Sequence, residues 1–487
     1  MNLQKSQFSK VIIFSLLIVG HVFWLSRSRS YMSPELIFPV WLYSSAKTFV
    51  SEIQSFYPPA LFYLVNILNK ISHNLLLSVN LIQLSIVIII DTLLFYYLNK
   101  KFNFKFAAIG LAFYIPWQVF FRGNYLWFDL ATIPFMTLSF FYFYDFIIGF
   151  KTPKLLIASF FLSFGYLFKN TIFWIYILYL VWLVYLKVTK KQSARKLFRN
   201  LLFLFLPLIL TGVANFLILT SKGTFEFTFY WNILMQNVIY PRMDTSPRLI
   251  SPNFYVPMAF VIAIYLTSCL VIEKASRISQ NQKYFLYSFT LVSLANIFPR
   301  WSDFHVQPFV FFLTIIFSYS LYLSNSFKKS IKVYFNIFLS AVIVFSTLIL
   351  GNRIATEIKN RNRETPDNIA LYAPQGLNHI IKNKNIFVYD FPLYNGVPLN
   401  DIYQPDFYKN VNLVLKDPDK YYRITSWQTA LGYVKAQNPD IIIVPYQIHN
   451  RIIAGIDLTA FEKLIQKRYQ HQTEIGKIYF IYGRSQD

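Results

Sequence analysis

Cysteine and acidic residues are scarce in this chain of 487 residues. Cys269 is the only cysteine, which excludes a disulfide framework and a thiolate metal cluster. Asp and Glu number 22 against 46 Lys and Arg, so the formal net charge is +24. The P-loop, GxSxG, HExxH and paired CxxC motifs do not occur. The sequence therefore argues against ATP-driven chemistry and against a nucleotide-sugar mechanism.

Long apolar runs dominate the chain. Hydrophobic residues make up 55% and charged residues 14% of the sequence, and the mean hydropathy is +0.41. These values predict a polytopic α-helical membrane protein. About eleven runs have the length that a bilayer requires, and we expect the first to be retained as a helix because no small-residue cleavage site follows it. The runs are 11–25, 76–98, 104–121, 130–149, 155–169, 171–187, 200–220, 256–272, 284–298, 305–323 and 332–351.

The connectors between these runs alternate in charge. Six alternate connectors hold 19 Lys and Arg residues and one acid, Glu273. The positive-inside rule predicts that these connectors and the N-terminus are cytoplasmic. Topology and contact with anionic lipid headgroups thus account for the positive charge, and we do not expect nucleic acid as a partner. The basic residues are Lys5, Lys10, Lys100, Lys101, Lys105, Lys151, Lys154, the run from Lys187 to Arg199, Lys274, Arg277, Lys283, Lys328, Lys329 and Lys332.

Two segments outside the apolar runs predict further structure. The first outer connector, about 26–75, contains two amphipathic stretches, 36–50 and 58–71, which we expect to lie as helices at the membrane interface. Residues 353–487 hold 13 of the 22 acids, and short apolar strands alternate there with helical patterns. We therefore predict a transmembrane domain over 1–352 and a small α/β domain over 353–487. An odd number of spans places that domain outside the cytoplasm. The predicted elements are strands in 386–394, 441–446 and 477–483, and helices near 427–438 and 458–469.

Acidic residues beside hydrocarbon are costly and indicate function. Glu35 follows the first span, where a carboxylate suits a general base for an acceptor hydroxyl. Asp129 opens the fourth span and suits a metal ion or the positioning of an acceptor. The plainer interpretation makes Glu35 an interfacial acid and Asp129 a helix N-terminal acid favoured by the macrodipole. Glu52 is a reserve carboxylate on the connector of Glu35.

Basic residues on the same connectors suit a phosphate. Lys169 lies between the fifth and sixth spans, where it either lines a cationic pocket or only snorkels to the surface. The segment FPRWSDFHVQPF at 298–309 packs Arg300, Asp303 and His305 into six residues. Arginine binds phosphate with two parallel hydrogen bonds, and histidine adds a donor or moves a proton. The alternative is a tight loop closed by an Asp303–Arg300 pair.

The order of these features resembles the GT-C superfamily of membrane glycosyltransferases, in particular bacterial members of the family-39, protein-mannosyltransferase type. Such enzymes place an acid after the first helix, a Tyr-Pro-Pro motif before an interfacial helix, a second acid on the next outer loop, a lysine after the fifth helix and an Arg/His segment before a late helix. Segments of the C-terminal domain, such as 388–394 and 438–444, are also similar to the external tail of that family. The matching residues here are Glu35, Tyr57, Pro58, Pro59, Asp129, Lys169, Pro299, Arg300, His305 and Pro308.

The resemblance implies a sugar transferase in a bacterial inner membrane that uses a polyprenyl-phosphate-linked sugar. The acceptor, a glycan, lipid or protein, would enter from outside and meet Glu35. A divalent cation, Mg²⁺ or Mn²⁺, held by Glu35 or Asp129 stays an open alternative. The residues assigned to the donor phosphate are Lys169, Arg300, His305 and Arg122, and those assigned to the substrates are Tyr57, Glu52 and Asp303.

Two other functions stay open on the sequence alone. A lipid-linked glycan flippase or another transporter would place charges midway along its helices and often shows repeats. Asp91 and Asp145 are the exceptions to the clustering of charge at one surface, and both lie near predicted cytoplasmic span ends, where a topological role suffices. A non-catalytic membrane scaffold is the third hypothesis. Loss of activity on substitution of Glu35 would separate the transferase from the scaffold.

Overall fold

The structure is a computed structural model in which fifteen α-helices, four short 3-10 helices and four strands are described. We number these elements in chain order. The side chains of Glu35 and Asp303 are not among the described parts, although their backbones are. The described residues are 2–27, 34–45, 57–123, 126–189, 191–221, 252–275, 278–297, 303–325, 327, 329–360, 375–388, 435, 438–445, 459–475 and 479–485.

Every predicted membrane span coincides with a helix, so the polytopic α-helical fold class is confirmed. Seven helical segments are long and apolar enough to cross a membrane by length and composition. The number of crossings stays a prediction. The helices are α1 Asn2–Arg27, α2 Pro34–Ser45, α3 Ala60–Ser72, α4 Leu75–Lys101, α5 Phe104–Phe120, α6 Phe128–Gly149, α7 Thr152–Tyr166, α8 Phe173–Val188, α9 Ala194–Ser221, α10 Pro252–Glu273, α11 Gln280–Ser293, α12 Gln307–Ser324, α13 Lys329–Asn360, α14 Asn378–Ile381 and α15 Thr459–Arg468.

The helices of one compact unit pack around α12. This unit comprises 1–31, 80–214 and 249–364. Helix α12 is apolar on all sides and almost wholly buried against α5, α6, α10 and α11, as expected for a helix without a polar face. Aromatic rings fill the space between α6, α11 and α12: Phe289 lies 4.9 Å from Phe140 and 4.6 Å from Phe312 between ring centroids. Helices α1 and α9 instead leave most of their apolar side chains exposed, as lipid-facing helices do.

Glycine permits a close approach between α5 and its neighbours. A Cβ atom on Gly110 would lie 2.5 Å from Leu98 Cδ1 and 2.6 Å from Ser318 Oγ, both on fully buried side chains. We therefore expect Gly110→Ala to lower the melting temperature of the purified protein, because overpacking costs about 1–3 kcal/mol. Gly212→Ala is the matched control, since a Cβ there meets nothing within 4 Å. Equal melting temperatures for the two variants would contradict this close packing.

Contacts join three of the six predicted cytoplasmic connectors, or the helix ends beside them, in this unit. The Lys101 ammonium lies 4.8 Å from the centroid of the Tyr144 ring, and Lys154 Nζ lies 3.9 Å from Asp145 Oδ2. Arg199 donates to Thr152 Oγ1 over 3.2 Å. These contacts join connectors that are distant in sequence. They agree with the prediction that the basic connectors share one side, while the identity of that side stays a prediction.

The second compact unit comprises 32–79, 215–248 and 365–487. Helices α2 and α3 coincide with the two amphipathic stretches predicted in the first connector. The indole of Trp41 on α2 donates to Asn378 Oδ1 over 2.6 Å, so this connector contacts the C-terminal segment. The predicted domain boundary after residue 352 stays a prediction.

A four-stranded sheet forms the C-terminal part of the second unit. Its strands are β1 Ile386–Val388, β2 Ile441–Pro445, β3 Tyr469–Ile475 and β4 Tyr479–Arg484, in the order β1-β2-β4-β3. Strands β1 and β2 are parallel, and the other two pairs are antiparallel. The predicted strands near 386, 441 and 477 and the helix near 458–469 are confirmed. Strand β3 was not expected, and most of the helix predicted near 427–438 lies outside the described residues.

Candidate functional site

Three of the predicted site residues meet in one buried cluster in the first unit. Lys169 Nζ donates to Asp129 Oδ1 over 2.5 Å, and His305 Nδ1 lies 2.6 Å from Asp129 Oδ2. The side chains of Asp129 and Lys169 are 0% and 1% exposed, and that of His305 is 8% exposed. Residues from three separate connectors therefore form one ionic group in apolar surroundings. We call Asp129, Lys169 and His305 the ionic cluster.

The positions of the protons follow from the partners. A carboxylate only accepts hydrogen bonds, so His305 carries a proton on Nδ1 and donates it to Asp129. That nitrogen therefore offers no lone pair to Lys169, although Lys169 Nζ lies 3.2 Å away. The ammonium has three N–H donors, and two of them reach Asp129 Oδ1 and the Asn296 carbonyl oxygen.

The start of α6 places Asp129. Trp127 precedes the helix in an extended conformation, and Asp129 lies in the first helical turn, where the macrodipole stabilises a carboxylate. The Thr132 hydroxyl donates to the Asp129 carbonyl oxygen over 2.7 Å. The Trp127 ring is buried, and its centroid lies 6.4 Å from that of His305. Aromatic side chains thus shield the cluster from water.

A tight turn after α7 places Lys169. The Lys169 backbone is extended, and its amide donates to the Gly165 carbonyl oxygen over 3.1 Å. A Cβ atom on Gly165 would lie 2.5 Å from Ile172 Cδ1, so only glycine lets the turn close without a shift of its neighbours. Thr171 donates to Asn296 Oδ1 over 2.6 Å, and the Asn296 carbonyl accepts from Lys169. Asn296 therefore holds both sides of the Lys169 turn.

Comparison with known proteins finds matches among solved structures. No family model and no curated protein sequence matches the chain. ArnT from Cupriavidus metallidurans bound to undecaprenyl phosphate is 10% identical, with 97% of each chain covered and a TM-score of 0.48. The apo oligosaccharyltransferase of Archaeoglobus fulgidus is 13% identical, with 98% of this chain and 74% of that chain covered and a TM-score of 0.47.

The Archaeoglobus fulgidus oligosaccharyltransferase AglB, solved with an inhibitory peptide and a dolichol-phosphate, is also similar. It is 12% identical, with 99% of this chain and 75% of that chain covered and a TM-score of 0.43. The likeness to all three structures concerns the fold alone. Identities and TM-scores are low throughout, so the roles proposed below rest on the residues of this chain.

The alternative interpretation of Lys169 was wrong. A snorkelling lysine would extend its ammonium to the surface, whereas Lys169 is buried and bound to Asp129. Asp129 is a helix N-terminal acid, as one hypothesis had it, and also binds two cationic groups. Asn296 and Thr171 were not predicted, because they carry no charge and gave no signal beyond their place beside Lys169 and the Arg300 segment.

The other predicted site residues are distributed over the chain. Arg122 is half-buried in the turn between α5 and α6, in the first unit. Tyr57 is buried in the second unit, and Glu35 lies at the start of α2 in the same unit. Asp303 begins the short helix Asp303–Val306 that carries His305. Glu52 and Arg300 lie outside the described residues, so their roles stay predictions.

A second buried polar group corrects the interpretation of Asp91. Asp91 is wholly buried on α4, and its Oδ2 lies 2.8 Å from His21 Nδ1 on α1. His21 Nε2 lies 2.9 Å from Gln118 Oε1 on α5. A topological role near the span end therefore does not suffice for Asp91. The missed signal was His21, an ionisable residue within the first apolar run.

The described side chains offer no ready metal site. Within the described ranges, no group of three His, Cys, Asp or Glu residues has a geometry that could hold an ion. Asp129 already binds Lys169 and His305 with its two carboxylate oxygens. The divalent cation considered for Glu35 or Asp129 stays a prediction.

Proposed function

We propose that this chain is an integral-membrane glycosyltransferase that moves a sugar from a polyprenyl-phosphate-linked donor to an acceptor outside the cytoplasm. The ionic cluster is the observation that carries the proposal. A buried lysine and a histidine at the ends of membrane helices suit the phosphate of a lipid that lies within the bilayer. The lipid phosphates in two of the solved structures named above agree with this donor.

Asp129 positions the two side chains of the ionic cluster that would bind an anion. Asp129 offsets the desolvation cost of Lys169 and fixes its ammonium, so a positive charge is held in place for a phosphate. His305 is fixed by the same carboxylate and adds a second polar group at the site. We therefore assign Asp129 the role of holding the two phosphate-binding side chains. Arg300 and Arg122 would complete the phosphate site.

The reaction would use these groups as follows. The acceptor hydroxyl gives its proton to Glu35 and attacks the anomeric carbon of the donor sugar. The bond from that carbon to the phosphate oxygen breaks, and the lipid phosphate leaves with the electron pair. Negative charge grows on the phosphate during this step, so Lys169 and the arginines stabilise the transition state more than the ground state. A new glycosidic bond and the free lipid phosphate result.

The proposal is tested by measuring sugar transfer by the wild type and by a Glu35→Gln variant. Purified protein in detergent is given a panel of radiolabelled polyprenyl-phosphate sugars, and transfer or donor hydrolysis is measured. We expect the wild type to act on at least one donor and Glu35→Gln to be about 10²–10⁴-fold slower, because it lacks the general base. Glu273→Gln, which changes an exposed acid on a basic connector, should keep full activity.

Other outcomes of this assay are also decisive. Full activity in Glu35→Gln would remove Glu35 as the base. If the wild-type protein is folded, as judged by a cooperative thermal transition, and turns over none of the donors, the transferase hypothesis is contradicted. That result would favour the scaffold or the transporter.

A transporter of lipid-linked glycans is the second candidate, because one observation favours it. The His21–Asp91 pair lies buried within membrane helices, which is where transporters place ionisable residues. Reconstitution in liposomes with a fluorescent polyprenyl-phosphate sugar separates the two functions. Movement of the lipid between leaflets without sugar transfer would support transport, and transfer without movement would support the enzyme.

A further inference from the structure

The turn that carries Arg122 has an unusual backbone. Arg122 has φ of 58°, in the left-handed region that residues other than glycine seldom adopt. Its amide donates to the Val119 carbonyl over 3.1 Å, and the Gly123 amide donates to the Gln118 carbonyl over 2.8 Å, so the last turn of α5 closes tightly. Backbone strain of this kind persists where the surrounding structure holds it, often at functional sites.

Two buried glutamines on other helices, Gln83 on α4 and Gln307 on α12, donate hydrogen bonds to this turn. Gln307 Nε2 donates to the carbonyl oxygens of Gln118 over 2.8 Å and of Phe121 over 2.5 Å. Gln83 Nε2 donates to the Gly123 carbonyl oxygen over 2.8 Å. The Gln118 carbonyl also accepts from the Gly123 amide, and the carbonyls of Phe121 and Gly123 lie just past Phe120, the last residue of α5. Gln307 lies two residues after His305, so it joins the Arg122 turn directly to the segment that carries part of the ionic cluster.

A third glutamine, Gln118, lies in the last turn of α5 itself and contacts the turn with its side chain. The Gln118 side chain folds against Gly123, where an added Cβ would lie 1.8 Å from Gln118 Nε2. Its Oε1 contacts His21 Nε2 over 2.9 Å, and His21 is bound to Asp91. The buried His21–Asp91 pair therefore anchors Gln118 beneath the turn. This use accounts for a pair of ionisable residues that the proposed reaction does not otherwise need.

We propose that Gln83, Gln118 and Gln307 are positioning residues, which hold the Arg122 turn in its left-handed conformation and so fix Arg122 for the donor phosphate. This inference rests on the proposed function for the role of Arg122. The side-chain amides of these glutamines stabilise the left-handed conformation of Arg122. Gln307 also fixes the position of the turn relative to His305. Loss of one amide lets the turn relax, and Arg122 then contributes less to binding.

The experiment is a double-mutant cycle between Gln307 and Arg122. Binding of undecaprenyl phosphate to the purified protein is measured for the wild type, Gln307→Leu, Arg122→Ala and the double variant. We expect each single variant to bind about tenfold more weakly, and the double variant to bind no more weakly than Arg122→Ala. In transfer assays kcat/KM for the donor should fall in each single variant, and no further in the double variant than in Arg122→Ala. Gln280→Leu, which changes an exposed glutamine, is the matched control.

A measurement of stability tests the positioning independently of activity. Glycine adopts positive φ without strain, so Arg122→Gly should restore about 2 °C of melting temperature to the Gln307→Leu protein, whereas Arg122→Ala should not. Additive losses of binding and equal melting temperatures for the glycine and alanine variants would overturn the inference. If the wild type binds no undecaprenyl phosphate, the proposed function fails, and the melting temperatures alone decide whether the glutamines hold the turn.

Discussion

Replacement of Asp129 with Asn is expected to lower the free energy of unfolding by about 3–5 kcal/mol. The carboxylate is wholly buried and binds Lys169 and His305 with separate oxygens. Asparagine keeps the shape but removes the charge, so the Lys169 ammonium stays buried without its counter-ion. The change in stability is measured by thermal unfolding of the purified protein in detergent, with the loss of monodisperse protein as the signal. We expect a drop of many degrees relative to the wild type.

The same helix supplies the control for this substitution. Asp145 is a half-exposed carboxylate on α6 that lies 3.9 Å from Lys154, and exposed pairs contribute only about 0–1 kcal/mol. Asp145→Asn should therefore leave stability almost unchanged. Combining Asp129→Asn with Lys169→Met should recover part of the loss, because the double variant removes both buried charges. Similar melting temperatures for Asp129→Asn and Asp145→Asn would show that the ionic cluster is not buried as described.

The helical framework could be predicted because its physical signal is long and local. An apolar run of about 20 residues has few structural solutions other than a membrane helix, so runs such as 130–149 and 305–323 correspond closely to α6 and α12. The C-terminal strands were harder. Strand β3, with the sequence YQHQTEI, has a mixed polar pattern and is held by its pairing with β4. Such pairing is a tertiary interaction that a short sequence pattern does not encode.

The site could be predicted in part, for a related reason. Alternation of helices puts every second connector on the same side, so Asp129, Lys169 and His305 were expected at one surface. Their direct contact was not predictable, because the rotation of each helix about its axis depends on packing. The dependence on helix packing also explains why the topological interpretation of Asp91 was wrong. Its partner His21 lies 70 residues away in sequence, and only the packing of α1 against α4 brings them together.

Replacement of Lys169 with Met is expected to slow sugar transfer by about 10²–10³-fold, which is the usual loss when one preorganised donor to a developing negative charge is removed. Lys169 is fixed by Asp129 and Asn296, so its ammonium does not need to reorganise during the reaction. Methionine has a similar length and no charge. The measurement is kcat/KM for the labelled lipid-linked sugar that the wild type uses. Binding of undecaprenyl phosphate should weaken in parallel.

A loss of folding could mimic this result, because Lys169→Met leaves Asp129 with His305 as its only remaining partner in the cluster. The Asp129→Asn/Lys169→Met variant separates the two causes, since it carries no uncompensated buried charge. We expect it to be better folded than either single variant and still inactive. Lys154→Met, at the other end of α7, removes a partly exposed lysine and should keep full activity. Transfer at the wild-type rate by the double variant would show that Lys169 and Asp129 form a structural ion pair, and the donor phosphate would then have to be bound by other residues.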